Sequence, residues 1–204
     1  MESERRELER VNAFSDGVFA IAITLLVLNV EVPSVPGDEL DSALKSLWSD
    51  LIAYMIGFAV IGLFWFGHHR LFSRLVRSDG RLVLVNMVLL GLIGVMPFTT
   101  GLLGGYDEPI AVALYAANVG IATLVDGCLH LVARADGLEA EGAEHDPHAL
   151  VLTAVRAGIF FASIPLAYLV SPDVAQYWWL LLIGIVFIRR WGRKGVNLRR
   201  RSRA

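Results

Sequence analysis

Long apolar stretches recur along the chain and are separated by short polar segments. A helix needs about 20 apolar residues to cross the hydrocarbon core of a bilayer. Backbone groups in lipid need internal partners, so each such stretch is predicted to be helical. Six segments qualify, at residues 11–30, 48–69, 81–103, 109–133, 150–170 and 174–191. The pattern predicts an all-α membrane protein with six transmembrane helices in one domain, residues 1–204.

The composition agrees with a membrane location. Of the 204 residues, 55% are hydrophobic, which is above the roughly 45–50% of soluble domains, and the mean hydropathy is +0.58. The single cysteine, Cys128, excludes an intramolecular disulfide framework and a Cys-rich zinc site. The first apolar segment lacks a small-residue cleavage site, so we expect it to be retained as a helix.

The basic residues are segregated to one side of the predicted spans. Of the 18 Lys and Arg residues, 17 fall on that side, and only Lys45 falls on the other. The positive-inside rule then places both termini in the cytoplasm of a multi-pass plasma-membrane protein. The acidic loop, residues 134–149, is expected to be mobile and cytoplasmic. The polybasic tail, residues 192–204, is a topology determinant and a candidate contact for anionic lipids; no nucleic-acid partner is expected.

The first span begins with charged and polar side chains at a depth where lipid should begin. Asp16 lies six residues after Arg10, and an ionisable group there costs roughly 2.5–3.5 kcal/mol unless it faces protein or water. Spans 1 and 2 run antiparallel, so His68 lies at a similar depth. We predict a buried cluster of Ser15, Asp16 and His68, with Arg10 as a further candidate. The sequence leaves open whether this cluster only joins helices or also serves gating or proton sensing.

An apolar stripe lies on the other side of the same helix. At about 100° per residue, Ile21, Leu25 and Leu28 share one face. Thr24 joins that face, whereas Asp16 falls on the opposite one. If Asp16 packs within its own subunit, the stripe faces lipid, a neighbouring helix or the axis of an oligomer. Ordinary packing is the commonest use of such a stripe.

Intramembrane histidines leave a membrane enzyme or haem protein as an alternative. His68 and His69 are adjacent, so their side chains point about 100° apart and do not easily face one site. Asp126 and His130 share a face of span 4, where a hydrogen bond between spans is the simpler interpretation. No cofactor is therefore expected.

The remaining alternatives are a loop metal site and a secondary transporter. His145 and His148 lie in the acidic loop without further ligands, so no metal site is predicted. A transporter favours inverted repeats and helices broken at the midplane. Pro97 and Pro165 lie off-centre, and the two halves of the chain do not look alike.

Three motifs occur in order along the first half of the chain. "RVNAFSDGVFAIAITLLVL" contains Arg-x-x-x-Phe-Ser-Asp, at Arg10, Phe14, Ser15 and Asp16. "WFGHHRLF" contains Trp-x-x-His-x-x-Leu-Phe, at Trp65, His68, Leu71 and Phe72. "NMVLLGLIGVMPFTT" has an Asn, a leucine-rich run and Pro-Phe-Thr, at Asn86, Pro97, Phe98 and Thr99. Over residues 8–103 the chain closely resembles the transmembrane protein 175 family, the endosomal and lysosomal potassium channels and their prokaryotic relatives.

This resemblance implies a fold and a function. Prokaryotic members have one six-helix unit per chain and form homotetramers, in which the first helix lines a central pore. They lack the Thr-Val-Gly-Tyr-Gly filter of ordinary potassium channels, and that filter is absent here. The family's apolar constriction, carried over by position, falls on Ile21, Leu25 and Leu28, with Thr24 beside the first layer.

The expected function is thus a potassium-permeable cation channel rather than an enzyme. The polar signature would brace the pore helix from behind. Its members are Arg10, Phe14, Ser15, Asp16, Trp65 and His68. Glu31 follows the outer end of span 1, where its charge is a candidate for raising the local cation concentration at the pore mouth.

Overall fold

Helices make up nearly all of the regular structure in the computed structural model, which describes residues 2–142 and 148–179. The first helix, α1, continues directly into a short 3₁₀ segment. In chain order the elements are α1 Glu2–Leu25, the 3₁₀ segment Leu26–Asn29, α2 Leu40–Ser46, α3 Trp48–Phe72, α4 Gly80–Gly105, α5 Pro109–Ala135, α6 Ala149–Leu169 and α7 Pro172–Trp178. Within the described residues, five elements are long and apolar enough to cross a membrane, namely α1 with its 3₁₀ segment, α3, α4, α5 and α6.

The five long helices correspond to the first five predicted spans. The sixth, residues 174–191, begins in α7, but residues 180–204, with the basic tail 192–204, lie outside the described residues. So do residues 143–147 of the acidic loop. The helix α1 begins well before the predicted span. Its exposed first turns carry i,i+4 ion pairs, Glu2 with Arg6 at 2.6 Å and Arg5 with Glu9 at 3.1 Å, which favour helix in water.

Local capping chemistry sets the start of several helices. The side chain of Asp79 accepts a hydrogen bond from the Leu82 amide at 2.7 Å at the start of α4. Pro109 occupies the first turn of α5, where its missing N–H costs nothing. Ser171 caps α7 by accepting from the amide of Val174. These residues set where α4, α5 and α7 begin.

The helix α4 lies in the middle of the bundle. It packs against α1 and α3 on one side and against α5 on the other, and α5 packs against α6. Small residues allow close approach: a Cβ at Gly120 would lie 2.9 Å from the Phe161 ring, and one at Gly127 would lie 2.6 Å from Thr153. Such contacts are typical of helix packing in membranes, where dispersion replaces the hydrophobic effect.

Two connections on one side of the bundle are paired with each other. The amide of Val76 donates to the Leu138 carbonyl, and Ala140 donates to the Arg74 carbonyl, both at 2.9 Å. The side chain of Leu138 is fully buried. The expectation of a mobile loop over 134–149 is therefore wrong for its first part. A buried leucine and main-chain hydrogen bonds fix residues 136–140 against the α3–α4 connection.

Candidate pore-lining helix and its anchors

The helix α1 has one face buried within its own protomer. The buried positions recur every three, four or seven residues, as expected for one side of a helix. They are Leu8, Ser15, Phe19 and Ala22, followed by Leu26 in the 3₁₀ segment. This face packs against α3 and α4, and it fixes the direction of the opposite face.

The predicted apolar stripe lies on the exposed side. Ile21 is 60% exposed, Leu25 is 42% exposed and Leu28 is 71% exposed. Thr24 is exposed beside them, and its hydroxyl donates to the Ile21 carbonyl at 2.9 Å. The Thr24 oxygen therefore keeps its lone pairs free for other donors or for a cation. Within the described part of the protomer, these four side chains are left uncovered.

The 3₁₀ segment, Leu26–Asn29, changes the register beyond Leu25. A 3₁₀-helix turns by about 120° per residue, so residues three apart lie on one face. Leu26 and Asn29 therefore both face the protomer interior, and Leu28 faces outward. A regular α-helical wheel does not predict this tighter turn, although it places Leu28 on the correct side.

The first anchor of α1 is a line of three fully buried polar side chains from three helices, Ser15, Asn86 and His68. Asn86 of α4 donates from Nδ2 to Ser15 Oγ at 3.0 Å, and its Oδ1 lies 2.8 Å from His68 Nε2 of α3. Ser15 Oγ in turn donates to the Val11 carbonyl at 2.8 Å. Since the amide oxygen only accepts, His68 Nε2 carries the hydrogen. His68 Nδ1 has no hydrogen-bond partner among the described residues.

Asp16 is held by a different residue from the one predicted. Its Oδ1 accepts a hydrogen bond from Trp65 Nε1 of α3 at 2.9 Å, and Asn12 Nδ2 lies 3.5 Å from Oδ2. The sequence predicts Asp16 with His68, but the His68 ring points towards α4 and pairs with Asn86. Trp65, one turn earlier on α3, faces the carboxylate instead. The motifs of α1 and α3 therefore meet through two separate contacts. Asp16 binds Trp65 directly, whereas Ser15 is linked to His68 through Asn86 of α4.

The other predicted residues lie outside the two contacts of Ser15 and Asp16. Arg10 and Phe14 are exposed, and no hydrogen bond joins Arg10 to Ser15 or Asp16 in the described region. Both line an open groove of about 400 Å³ between α1 and α4, with Glu7. Glu31 is exposed, two residues after the 3₁₀ segment.

The second anchor of α1 comprises Asn29, Pro97 and Gly101. Asn29 Nδ2 donates to the Pro97 carbonyl of α4 at 2.8 Å. Its Oδ1 lies only 2.7 Å from the position that a Cβ at Gly101 would occupy. The stripe from Ile21 to Leu28 therefore lies between two attachments to the same helix, α4.

Sequence reasoning missed the amides that join the helices. Asn86 is noted only for its resemblance to a family motif, and Asn29 is not noted at all. Asn118 of α5, also missed, donates to the Leu92 carbonyl of α4 at 3.3 Å. Each amide lies inside an apolar span, where an unpaired polar group is costly. The position of each amide within an apolar span was therefore a signal that it is hydrogen-bonded to another helix, although the sequence does not show which residue is its partner.

The arrangement can be compared with known proteins. A family model described as endosomal/lysosomal potassium channel TMEM175 matches residues 10–97. A potassium channel of Chamaesiphon minutus is 36% identical over 193 residues, which cover 91% of this chain and 92% of the relative. The chain belongs to the TMEM175 family. Its family and relatives are ion channels, in agreement with the expectation that it is not an enzyme.

Two further similarities support membership of the TMEM175 family. A potassium channel of Streptomyces collinus is 36% identical over 170 residues, covering 83% of this chain and 82% of that protein. The crystal structure of a lysosomal potassium-selective channel TMEM175 homolog from Chamaesiphon minutus superposes with a TM-score of 0.76. That match has 31% identity and covers 90% of this chain and 98% of the other. The all-helical membrane fold is therefore the fold of this family.

Proposed function

We propose that this protein is a potassium channel whose pore is lined by α1 from four copies of the chain. The observation that carries the proposal is the exposed stripe of Ile21, Thr24, Leu25 and Leu28 on a helix whose other face is buried. The names of the potassium-channel relatives and the family resemblance support the choice of a pore axis over lipid as the environment of this stripe.

In the proposed tetramer the stripe forms a narrow apolar constriction. From Ile21 to Leu28 the chain rises about 12 Å, at about 1.5 Å per residue in α1 and about 2.0 Å per residue in the 3₁₀ segment. A constriction of this kind excludes water when narrow, and it conducts when the helices separate or rotate enough to admit water. Potassium holds its hydration shell less tightly than sodium, so partial dehydration favours potassium. Four Thr24 oxygens, with their lone pairs free, replace part of the lost water.

The proposal includes a membrane topology. Both termini are cytoplasmic in the plasma membrane, because nearly all basic residues fall on one side of the spans. The proposal also includes a sixth span, residues 174–191, within a single domain of residues 1–204. The tail 192–204 would contact anionic headgroups, and Glu31 would lie at the outer mouth of the pore.

The test is potassium flux into liposomes containing the purified protein. Ile21→Asn places a polar ring in the constriction, so we expect severalfold higher flux and a smaller preference for potassium over sodium. Leu63→Asn is the matched control, because Leu63 of α3 is 66% exposed but lies outside the stripe. We expect this control to behave as the wild type.

Two outcomes would contradict the proposal. Unchanged flux and selectivity in Ile21→Asn, with an active wild type, would remove Ile21 from the constriction. Flux that saturates and requires a coupled ion would indicate a secondary transporter instead.

A further inference from the structure

One side-chain hydrogen bond joins the end of the 3₁₀ segment to α4. Asn29 is the last residue of the 3₁₀ segment, and its Nδ2 donates to the Pro97 carbonyl at 2.8 Å. A carbonyl oxygen has two lone pairs, so it accepts this bond and still has one lone pair for its own helix. An amide inside a membrane span needs such a partner, and α4 supplies it.

The docking of Asn29 requires a glycine on α4. A Cβ at Gly101 would lie 2.7 Å from Asn29 Oδ1 and 2.9 Å from its Cγ. A Cβ at Gly101 would therefore displace the Asn29 amide from its position against α4. By contrast, a Cβ at Gly94 of the same helix would meet nothing within 4 Å.

The same contact determines where Leu28 points. Leu26 is fully buried, and a Cβ at Gly57 of α3 would lie 3.0 Å from its Cδ2. Because residues three apart share a face in a 3₁₀-helix, Leu26 and Asn29 together fix the rotation of the segment. Leu28 lies between them in sequence and is directed away from the protomer.

We propose that Asn29 is a positioning residue for the ion pathway. Its bond to Pro97, made possible by Gly101, holds the 3₁₀ segment back against α4 and so keeps the Leu28 side chains apart at the axis. The inference rests on the proposed function, because it requires α1 to line the pore. Loss of the bond lets Leu28 move towards the axis, and the channel conducts less.

The experiment compares Asn29→Leu, Gly101→Ala and the control Gly94→Ala by single-channel recording in planar bilayers. Asn29→Leu removes the donor, whereas Gly101→Ala displaces the intact amide. For each we expect about a fivefold fall in the ratio of conducting to non-conducting channels, the size expected for one lost hydrogen bond. Gly94→Ala should retain the wild-type ratio.

A rescue variant separates positioning from a general structural defect. Adding Leu28→Ala to Gly101→Ala shortens the side chain that has moved inward, so we expect the conducting fraction to return towards that of Leu28→Ala alone. A structural defect would not be relieved by this change. Gly101→Ala also decides the question if Asn29→Leu gives no folded protein.

Each result supports or overturns the inference. If Gly101→Ala conducts as Gly94→Ala does, or if Leu28→Ala fails to restore it, Asn29 does not position Leu28. If Ile21→Asn alters flux while Asn29→Leu and Gly101→Ala do not, the pore proposal stands and this inference fails. Absence of potassium flux in the wild type would overturn the proposed function and this inference with it.

Discussion

The two anchors of α1 hold the same helix by different means. The first joins Ser15, Asn86 and His68 from three helices, and all three side chains are fully buried. The second is one bond from the half-buried Asn29 to a backbone carbonyl. Removing a member of the first anchor leaves buried polar atoms without a hydrogen-bond partner. Removing Asn29 leaves the Pro97 carbonyl with its hydrogen bond within α4. We therefore expect the first anchor to be required for folding. Loss of the second anchor should lower the free energy of unfolding by less than loss of the first.

The largest expected effect is that of Asn86→Leu, which breaks the first anchor at its centre. The change leaves the His68 ring without a hydrogen-bond partner and removes the donor to Ser15. We expect a loss of about 2–3 kcal/mol in the free energy of unfolding, since a buried group left unpaired costs most of its desolvation energy. Unfolding in detergent, followed by tryptophan fluorescence, measures it.

Met87→Leu is the matched control for Asn86→Leu. Met87 is the next residue of α4 and is exposed, so we expect its substitution to change stability little. If Asn86→Leu proved as stable as Met87→Leu, the first anchor would not be required for folding, and the contrast between the anchors would disappear.

An intermediate effect is expected for Gly57→Ala, which disturbs the packing near the second anchor. The added Cβ would lie 2.8 Å from Thr100 Oγ1 and 3.0 Å from Leu26 Cδ2. Overpacking of this kind costs about 1–2 kcal/mol in the free energy of unfolding. Gly62→Ala on the same helix is the control, because its Cβ would meet nothing within 4 Å. Equal stability of the two variants would show that the 3₁₀ segment moves aside without resistance.

The smallest effect is expected at the exposed contact between Asp16 and Trp65. We expect Asp16→Ala and Trp65→Phe each to lower the free energy of unfolding by about 1 kcal/mol, the net contribution of one hydrogen bond. In the double variant the two losses should not add, because both remove the same bond. Additive losses would show that the bond contributes nothing and that Asp16 acts through another partner.

Periodicity and length were sufficient to predict the five long helices, but not the short elements between them or the turn at the end of α1. The long apolar runs predict α1, α3, α4, α5 and α6 because burial in lipid leaves the backbone few alternatives to a helix. The short helix α2, Leu40–Ser46, and the 3₁₀ turn at Leu26 are not predicted. The helix α2 has no buried residue and makes local i,i+4 contacts, whereas the 3₁₀ turn packs through the buried Leu26, and neither feature leaves a clear period in the sequence.

The pairing of the polar residues was only partly predictable. The depth argument brings Ser15 and His68 to the same level, and the structure joins them, although through Asn86. It assigns Asp16 to His68, whereas Trp65 is the partner. The depth of a residue in the membrane follows from its sequence position. The rotation of α3 relative to α1 depends instead on how both helices pack against α4. That rotation decides which of Trp65 and His68 faces the carboxylate.

The hydroxyl of Thr24 donates its hydrogen to the Ile21 carbonyl of its own helix. A ring of four such oxygens would therefore present acceptors and no free donor to whatever enters the constriction. Chloride, which needs donors to replace its water, would find none there. In the proposed tetramer, Thr24 hydroxyls held in this orientation would thus disfavour anions at that level of α1 without a formal charge there.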